Sequence, residues 1–166
     1  MYQNKISGSI VIIDGSNVAM YGMSKTGKKK AKIENIMAVI NKLKEYKASE
    51  IITICDANIR YTIDDKDKLD SMIEDKSVIL APSGIRADMF ILDYARQKNC
   101  LIVSNDKFRD YRSDKWINDN VDSITLGFIF VGKDILLEPV NHKSMIFDTK
   151  SKKEITKWWH FFKKKQ

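Results

Sequence analysis

Four aspartates follow short apolar segments of this sequence and are the residues best suited to chemistry: Asp14, Asp88, Asp106 and Asp110. Carboxylates held close together repel one another, by about 4 kcal/mol for a pair ~4 Å apart at an effective dielectric of ~20. A divalent cation offsets that repulsion, and all-oxygen ligation suits Mg²⁺ or Mn²⁺ rather than zinc. Because Mg²⁺ on a few carboxylates serves phosphoryl chemistry, the set predicts metal-assisted hydrolysis of phosphodiester bonds.

Each aspartate also has a structural explanation. Asp14 followed by Gly15 is a frequent turn sequence, Asp88 favours a helix N-terminus, and Asp106 can cap a helix. Asp106 and Asp110 lie four residues apart in a segment, 106–112, that we expect to be a short helix, where like charges on one face are unfavourable. The structural explanations weaken when the aspartates are taken together, because caps need not come from segments that converge at one end of a sheet.

The sequence gives little support for a histidine metal site or for a cysteine nucleophile. His142 and His160 have no partner at metal-ligand spacing, and no base that would activate Cys55 is visible. Cys55 and Cys100 each border an apolar run, which predicts buried, reduced thiols. The sequence Lys25-Thr26-Gly27-Lys28 lacks the spacing of a phosphate-binding loop.

The elements that must position the aspartates alternate between strand and helix. Four short runs rich in β-branched residues predict strands buried on both faces: Ile10–Ile13, Ile51–Cys55, Val78–Ala81 and Leu101–Val103. Helical spacing predicts helices over 33–43, 65–75, 86–98 and 106–112, and a hairpin follows over 124–131 and 135–137. This order is typical of an α/β fold with a mainly parallel sheet. Residues that follow such strands meet beyond their carboxyl ends, where ligands bind.

The charge of the chain favours a polyanionic partner. Of its 166 residues, 29 are Lys or Arg and 22 are Asp or Glu, which gives a formal net charge of +7. Nucleic acid is the first candidate for such an excess. No apolar run approaches the ~18 residues of a spanning helix, and no signal-peptide pattern precedes Ile10. We therefore expect a cytoplasmic protein.

The segments around the aspartates resemble the motifs of one nuclease family. Residues 11–20, VIIDGSNVAM, resemble the first motif of NYN/PIN-like ribonucleases, and the most similar type is the Regnase-like, zinc-finger-associated NYN domain. Residues 88–92 resemble its second acidic motif and residues 102–111 its third. Three further segments resemble the final strands of the family: Trp116-Ile117, Gly127–Val131 and Glu138-Pro139.

The resemblance implies a PIN-like (Rossmann-like) three-layer α/β/α sandwich with a mainly parallel central sheet. It also implies a Mg²⁺- or Mn²⁺-dependent endoribonuclease that cleaves single-stranded RNA to 5′-phosphate and 3′-hydroxyl ends. The residues that match the family's metal cradle are Asp14, Asp88, Asp106 and Asp110, and Asn17 matches the asparagine of the first motif and is a further catalytic candidate.

One departure from the family pattern keeps two alternatives open. The Regnase-like second motif carries two adjacent aspartates, whereas Ala87 precedes Asp88 here. Asp56, which follows the second predicted strand, lies where some flap-type nucleases place a carboxylate and can compensate. The alternatives are a non-catalytic RNA-binding module and a structure-specific flap-type DNA nuclease.

Basic and aromatic side chains near the aspartates are the candidate RNA contacts. The predicted phosphate contacts are Lys28, Lys29, Lys30, Arg86 and Arg109. Tyr21 and Tyr61 are candidates to stack on bases, whereas Phe108 is expected to pack in the core.

The chain is divided near residue 140. Residues 1–140 form the predicted nuclease domain, and residues 141–166 form a basic, aromatic extension. We expect this extension to be a helix docked on the domain. Its aromatic face is also a candidate surface for a second copy of the chain or for a protein partner.

Overall fold

A twisted β-sheet organises the chain. The computed structural model describes residues 3–23, 30–132 and 134–139. In these residues the sheet has six strands: Ile10–Asp14 (β1), Glu50–Cys55 (β2), Ile79–Leu80 (β3), Leu101–Val103 (β4), Thr125–Val131 (β5) and Asp134–Pro139 (β6). Their order is β3-β2-β1-β4-β5-β6. Every neighbouring pair is parallel except β5 and β6, which form an antiparallel hairpin. The predicted mainly parallel sheet and its terminal hairpin are confirmed.

The central position of β1 explains its uninterrupted run of β-branched residues. It pairs in parallel with β2 on one side and with β4 on the other, so that Ile13 lies between Thr53 and Val103. Such a strand is covered by neighbours and by both flanking layers, and apolar side chains are favoured at every position. Asp14 is the last residue of β1 and therefore lies in the middle of the sheet, at the carboxyl ends of its parallel strands.

Helices cover both faces of the sheet. The helices in the described residues are Gln3–Ile6 (α1), Gly15–Ala19 (α2), Ile33–Glu45 (α3), Ile59–Thr62 (α4), Lys66–Glu74 (α5), Ala87–Lys98 (α6) and Lys115–Ile124 (α7). Val11 and Ile13 pack in one core with apolar residues of α3 and α5. Ile12 points to the other face, into a core with α6 and α7. Alternation along β1 thus produces the predicted three-layer sandwich.

Two sequence predictions about local structure are wrong. Trp116 and Ile117 do not lie in a strand but in α7, whose N-cap is Asp114. The segment 106–112 is not a continuous helix, because only Arg109–Tyr111 forms a 3₁₀ turn. Phe108, at the start of that turn, has φ +48°, a left-handed conformation that a continuous α-helix does not contain.

Both cysteines are free and buried, as predicted. None of the helices in the described part of the chain has the length and apolar character needed to cross a bilayer. Residues 141–166, with the predicted C-terminal helix, lie outside the described residues.

Candidate active site

Asp14 is at the centre of the candidate site and is only 4% exposed. Its Oδ1 accepts a hydrogen bond from the Asn17 backbone N–H at 3.1 Å, which caps α2. Its Oδ2 accepts one from the Ser104 hydroxyl at 2.7 Å. Burial raises the pKa of Asp14 to about 7, and the nearby carboxylates of Asp88 and Asp106 add to the rise. Asp14 is therefore both a helix cap and a member of a carboxylate cluster.

Gly15 lets α2 start directly against the neighbouring strand. A Cβ at this position would lie 2.3 Å from the Cys55 Sγ, 2.8 Å from the Thr53 Cγ2 and 3.2 Å from the Ile54 carbonyl oxygen. Any side chain at residue 15 would push α2 away from β2. The glycine therefore fixes the position of the N-terminus of α2, and with it the position of Asn17.

The segment after β4 brings Asp106 towards Asp14. The Ser104 hydroxyl, which donates to Asp14, also accepts the Asp106 backbone N–H at 3.0 Å. Asp106 Oδ1 in turn accepts the Phe108 backbone N–H at 2.7 Å. The Phe108 side chain is 2% exposed, so it anchors the end of this segment in the core, as the sequence predicts. One serine hydroxyl thus connects both aspartates.

Two asparagines hold the same segment in place. Asn17 does not use its side chain on Asp14; its Oδ1 accepts the Asn105 backbone N–H at 2.9 Å. Asn105 bonds both backbone groups of Phe128 in β5, with its Oδ1 accepting the N–H and its Nδ2 donating to the carbonyl, each at 2.9 Å. Asn105 was not among the predicted site residues. Its sequence signals are its position two residues after β4 and its place within residues 102–111, which resemble the third family motif.

Arg86 joins the second and third acidic motifs. Its guanidinium lies 2.6 Å from the Asp88 carboxylate and 3.1 Å from the Asp110 carboxylate, above the ring of Tyr111. Burial raises the pKa of Asp88, the Arg86 charge opposes this rise, and the Asp106 charge adds to it. Arg86 is therefore the counter-ion of two predicted metal ligands in this structure.

A cleft of about 460 Å³ opens over these residues. Of the predicted site residues, six line it: Asn17, Arg86, Asp88, Asp106, Arg109 and Asp110. Asp14 does not line the cleft, but it is bonded to Asn17, which does. Residues that sequence reasoning did not assign to the site complete the wall: Asn105, Lys107, Phe108 and Tyr111.

The chemistry of these side chains fits a hard divalent cation. Asp14, Asp88 and Asp106 offer carboxylate oxygens, the ligands that Mg²⁺ and Mn²⁺ prefer. Within residues 3–23, 30–132 and 134–139, no three acidic, histidine or cysteine side chains are already arranged as a metal site. Asp88 is paired with Arg86 instead. A cation at this place would compete with the guanidinium for that carboxylate.

Asp56 has a structural function at the edge of the site. Its Oδ1 accepts the backbone N–H of Ala87, the first residue of α6, at 2.9 Å. Its own N–H donates to the Ser16 hydroxyl at 2.8 Å. Asp56 therefore connects the end of β2 to the helix that carries Asp88.

The remaining predicted contacts are placed as follows. Lys30 is exposed and does not line the cleft, and Lys28 and Lys29 lie outside the described residues. The ring of Tyr21 packs against Phe128 and Phe130, with centroids 5.4 and 5.1 Å away, and is not presented to the cleft. The Tyr61 side chain is 88% exposed.

The sequence model of the Zc3h12a-like ribonuclease NYN domain family matches residues 7–148. The chain belongs to this family. The matched range contains all three acidic motifs and most of the described residues, so the resemblance to Regnase-like NYN domains is confirmed. The NYN domain is thus a member of a ribonuclease family.

Two solved structures and one curated relative resemble this NYN domain. Two structures of nuclear protein-only RNase P 2 from Arabidopsis thaliana superpose with a TM-score of 0.65 each. They are 17% and 18% identical, over 78% and 82% of this chain but 29% and 31% of theirs. An uncharacterized protein of Methanocaldococcus jannaschii is 28% identical over 142 residues, which are 83% of this chain and 26% of that protein. The NYN domain thus spans about a quarter of this relative's length, and the structures share its PIN-like fold.

Proposed function

We propose that this NYN domain is a Mg²⁺- or Mn²⁺-dependent endoribonuclease that hydrolyses single-stranded RNA to 5′-phosphate and 3′-hydroxyl ends. The observation that carries the proposal is the convergence of three carboxylates from three segments: Asp88 and Asp106 line one cleft, and Ser104 connects Asp14 to the Asp106 backbone. Such a set is costly for a metal-free fold and suits a cation at the carboxyl edge of the sheet. Family membership supports the ribonuclease activity.

Asp14, Asp88 and Asp106 would hold the cation, with Asp110 at the outer wall of the cleft. A bound Mg²⁺ would lower the pKa of water and neutralise charge that develops at phosphorus during hydrolysis. Ser104 and Asn17 hold the carboxylates in their relative positions, because Ser104 donates to Asp14 and Asn17 accepts the Asn105 backbone N–H. In this proposal Asn17 has a positioning role.

Arg86 would move from carboxylate to phosphate when substrate binds. Its side chain is 59% exposed, so it can turn without disturbing the core. A guanidinium binds phosphate oxygens with charge-assisted hydrogen bonds as readily as it binds carboxylates. Lys107 and Arg109 line the same cleft and would hold neighbouring phosphates.

The experiment that tests this function compares labelled single-stranded RNA, duplex RNA and single-stranded DNA in Mg²⁺, Mn²⁺ and EDTA. We expect internal cleavage of the single-stranded RNA, abolished by EDTA, with 5′-phosphate on the downstream product. Asp14→Asn should reduce the rate at least ~10²-fold because it removes a charged metal ligand. Cleavage in EDTA, or products with a 2′,3′-cyclic phosphate, would contradict the mechanism.

A second candidate is an RNA-binding domain without catalysis. It is favoured by Arg86, which neutralises Asp88 and Asp110, and by Ala87, which replaces a carboxylate of the family motif. RNA binding without cleavage in either metal would favour this candidate. The flap-type DNA nuclease has less support, because the Asp56 carboxylate that suggested it is bonded to the Ala87 N–H. A cytoplasmic location remains part of the proposal.

A further inference from the structure

A second cavity, of about 610 Å³, adjoins the cleft. It is formed by the ends of β2 and β3, by α4 and by the loop that leads to α6. Arg86 lines both the cavity and the cleft, so its side chain lies where the two meet. The volume lies in the range of about 300–1,000 Å³ that is usual for small-ligand sites.

Tyr61 forms part of this cavity and contributes little to the core. It is 88% exposed, whereas Ile59 and Ile63 on either side of it are 1% and 4% exposed. Those two isoleucines hold α4 on the domain, and the Ala31–Ile63 bridge secures its end. The phenol ring is therefore presented to solvent by a well-anchored segment.

The other walls combine apolar surface with two cationic side chains and one carboxylate, that of Asp56, which is bonded to the Ala87 N–H. Leu80 and Ile85 supply apolar area, and the Ile85 side chain is 42% exposed. Arg60, which is paired with Asp70 at 3.2 Å, and Arg86 supply guanidinium groups. An exposed aromatic ring beside cationic groups is the usual platform for a nucleobase and its phosphate.

We infer that this cavity binds a nucleotide of the substrate strand next to the phosphate in the cleft, with its base stacked on Tyr61. The inference rests on the proposed function, because it takes RNA as the strand that passes Arg86. The shared Arg86 is the argument for this occupant: Arg86 and Tyr61 line the same cavity, so a strand whose phosphate lies at Arg86 would continue into the cavity that contains the Tyr61 ring. Stacking on a phenol ring carries no base preference, so the cavity would accept any base.

The test measures binding and base stacking without cleavage. Tyr61→Ala, Tyr61→Phe and wild type are titrated in EDTA with short single-stranded RNAs that carry 2-aminopurine at one position each. At one position beside the cleaved bond, we expect fluorescence quenching in wild type and Tyr61→Phe and none in Tyr61→Ala. Tyr61→Ala should weaken affinity about 5- to 100-fold, and Tyr61→Phe should have little effect.

Two comparisons keep this test specific. Ile129→Ala removes an exposed apolar side chain of the β5–β6 hairpin, far along the chain from α4, and should bind RNA like wild type. An abasic nucleotide at the quenched position should weaken binding to wild type and have no further effect on Tyr61→Ala. Equal affinity and quenching in wild type and Tyr61→Ala would overturn the inference, and so would an equal loss in Tyr61→Phe. If wild type still cleaves RNA in Mg²⁺ in either case, the proposed function stands.

Discussion

Burial and the neighbouring carboxylates disfavour the charged form of Asp14. Its folded pKa of about 7 lies above the ordinary value of 3.8. Between these two pH values the folded protein retains a proton that the unfolded chain has released, so stability falls as the pH rises through this window. The total loss is on the order of 4 kcal/mol without metal, at about 1.4 kcal/mol per pKa unit. A cation would recover part of this cost.

The Asp14→Asn variant should therefore gain stability over wild type at neutral pH in EDTA. Below about pH 4, wild-type Asp14 is protonated in both states and its burial gives no pH-dependent cost. The difference in melting temperature in favour of Asp14→Asn should grow from pH 5 to pH 7.5. Asp67→Asn, at an exposed position of α5, controls for the loss of a negative charge. A strongly destabilised Asp14→Asn at pH 7.5 would mean that the carboxylate is needed for the fold itself.

Arg86 leads to a prediction in which two affinities change in opposite directions. Arg86→Met removes the cation that pairs with Asp88 and Asp110, so Mn²⁺ should bind two- to fivefold more tightly. The effect is small because the Arg86 guanidinium is largely exposed to solvent, which screens its charge. Affinity for single-stranded RNA should fall. Calorimetry with Mn²⁺ and anisotropy with labelled RNA measure the two effects.

The control for Arg86 is Arg96→Met. Arg96 is also paired with an aspartate, Asp114, and also lies over an aromatic ring, that of Trp116. It lies on the part of α6 away from the cleft, and its replacement should change neither affinity. Weaker Mn²⁺ binding in Arg86→Met would show that the guanidinium organises the carboxylates rather than competing for them.

At the scale of elements, the junction between β1 and α2 leaves no space for a side chain at Gly15. Gly15→Ala places a methyl group against Cys55 and Thr53 and should destabilise the domain by about 1–3 kcal/mol, as overpacking does in cores. Urea unfolding of Gly15→Ala, Cys55→Ala and the double variant measures this. The double variant should be more stable than the sum of the two single changes, since Cys55→Ala removes the Sγ that lies 2.3 Å from the new Cβ. Strict additivity would place the strain elsewhere.

The strands could be predicted because each one carries its signal in consecutive residues. Runs such as Ile10–Ile13 are β-branched and uninterrupted, and the strand-end rule then brought Asp14, Asp88 and Asp106 together. The helix α7 had a signal as well, since Asp114 caps it and Ile117, Val121 and Ile124 share one face. The resemblance to the family's final strands instead predicts a strand at Trp116-Ile117, which conflicts with this helical pattern.

Other features of the site have no local pattern. Arg86 and Asp110 are 24 residues apart, and their contact depends on where two loops end. The Asn105 bonds to Phe128 depend on the spacing of β4 and β5. Left-handed Phe108 could not be foreseen, because the Asp106 bond that holds it is formed by a side chain in a turn. Sequence periodicity reports which face is buried, not how polar side chains pair across segments.

For the whole molecule, the excess of basic residues should make the affinity for RNA depend strongly on the salt concentration. Replacing Lys28, Lys29 and Lys30 with alanine should weaken RNA binding about equally for all sequences, because phosphate contacts carry no base information. Three lost contacts should flatten the plot of log affinity against log salt by roughly 2, at about 0.7 per contact on a single strand. The single-turnover cleavage rate at saturating RNA should change little.

Three surface lysines far along the chain from Lys30 serve as the control for this triple variant. Lys44 of α3 and Lys66 and Lys68 of α5 are exposed, carry the same charge and do not line the cleft. Their replacement should leave the salt slope nearly unchanged. An unchanged slope in the Lys28, Lys29 and Lys30 variant would instead direct attention to Arg86, Arg109 and the C-terminal lysines as the path of the strand.

The reactivity of the buried Cys55 thiol can report how often the domain opens locally. Its thiol is fully buried beneath Gly15, and burial raises the pKa of that thiol well above its usual range. Alkylating reagents attack the thiolate, so the native protein shields Cys55 both by access and by protonation. Labelling must then await a fluctuation that separates α2 from β2 and admits solvent. The rate at which a maleimide modifies Cys55 would report how often α2 separates from β2 beneath the site.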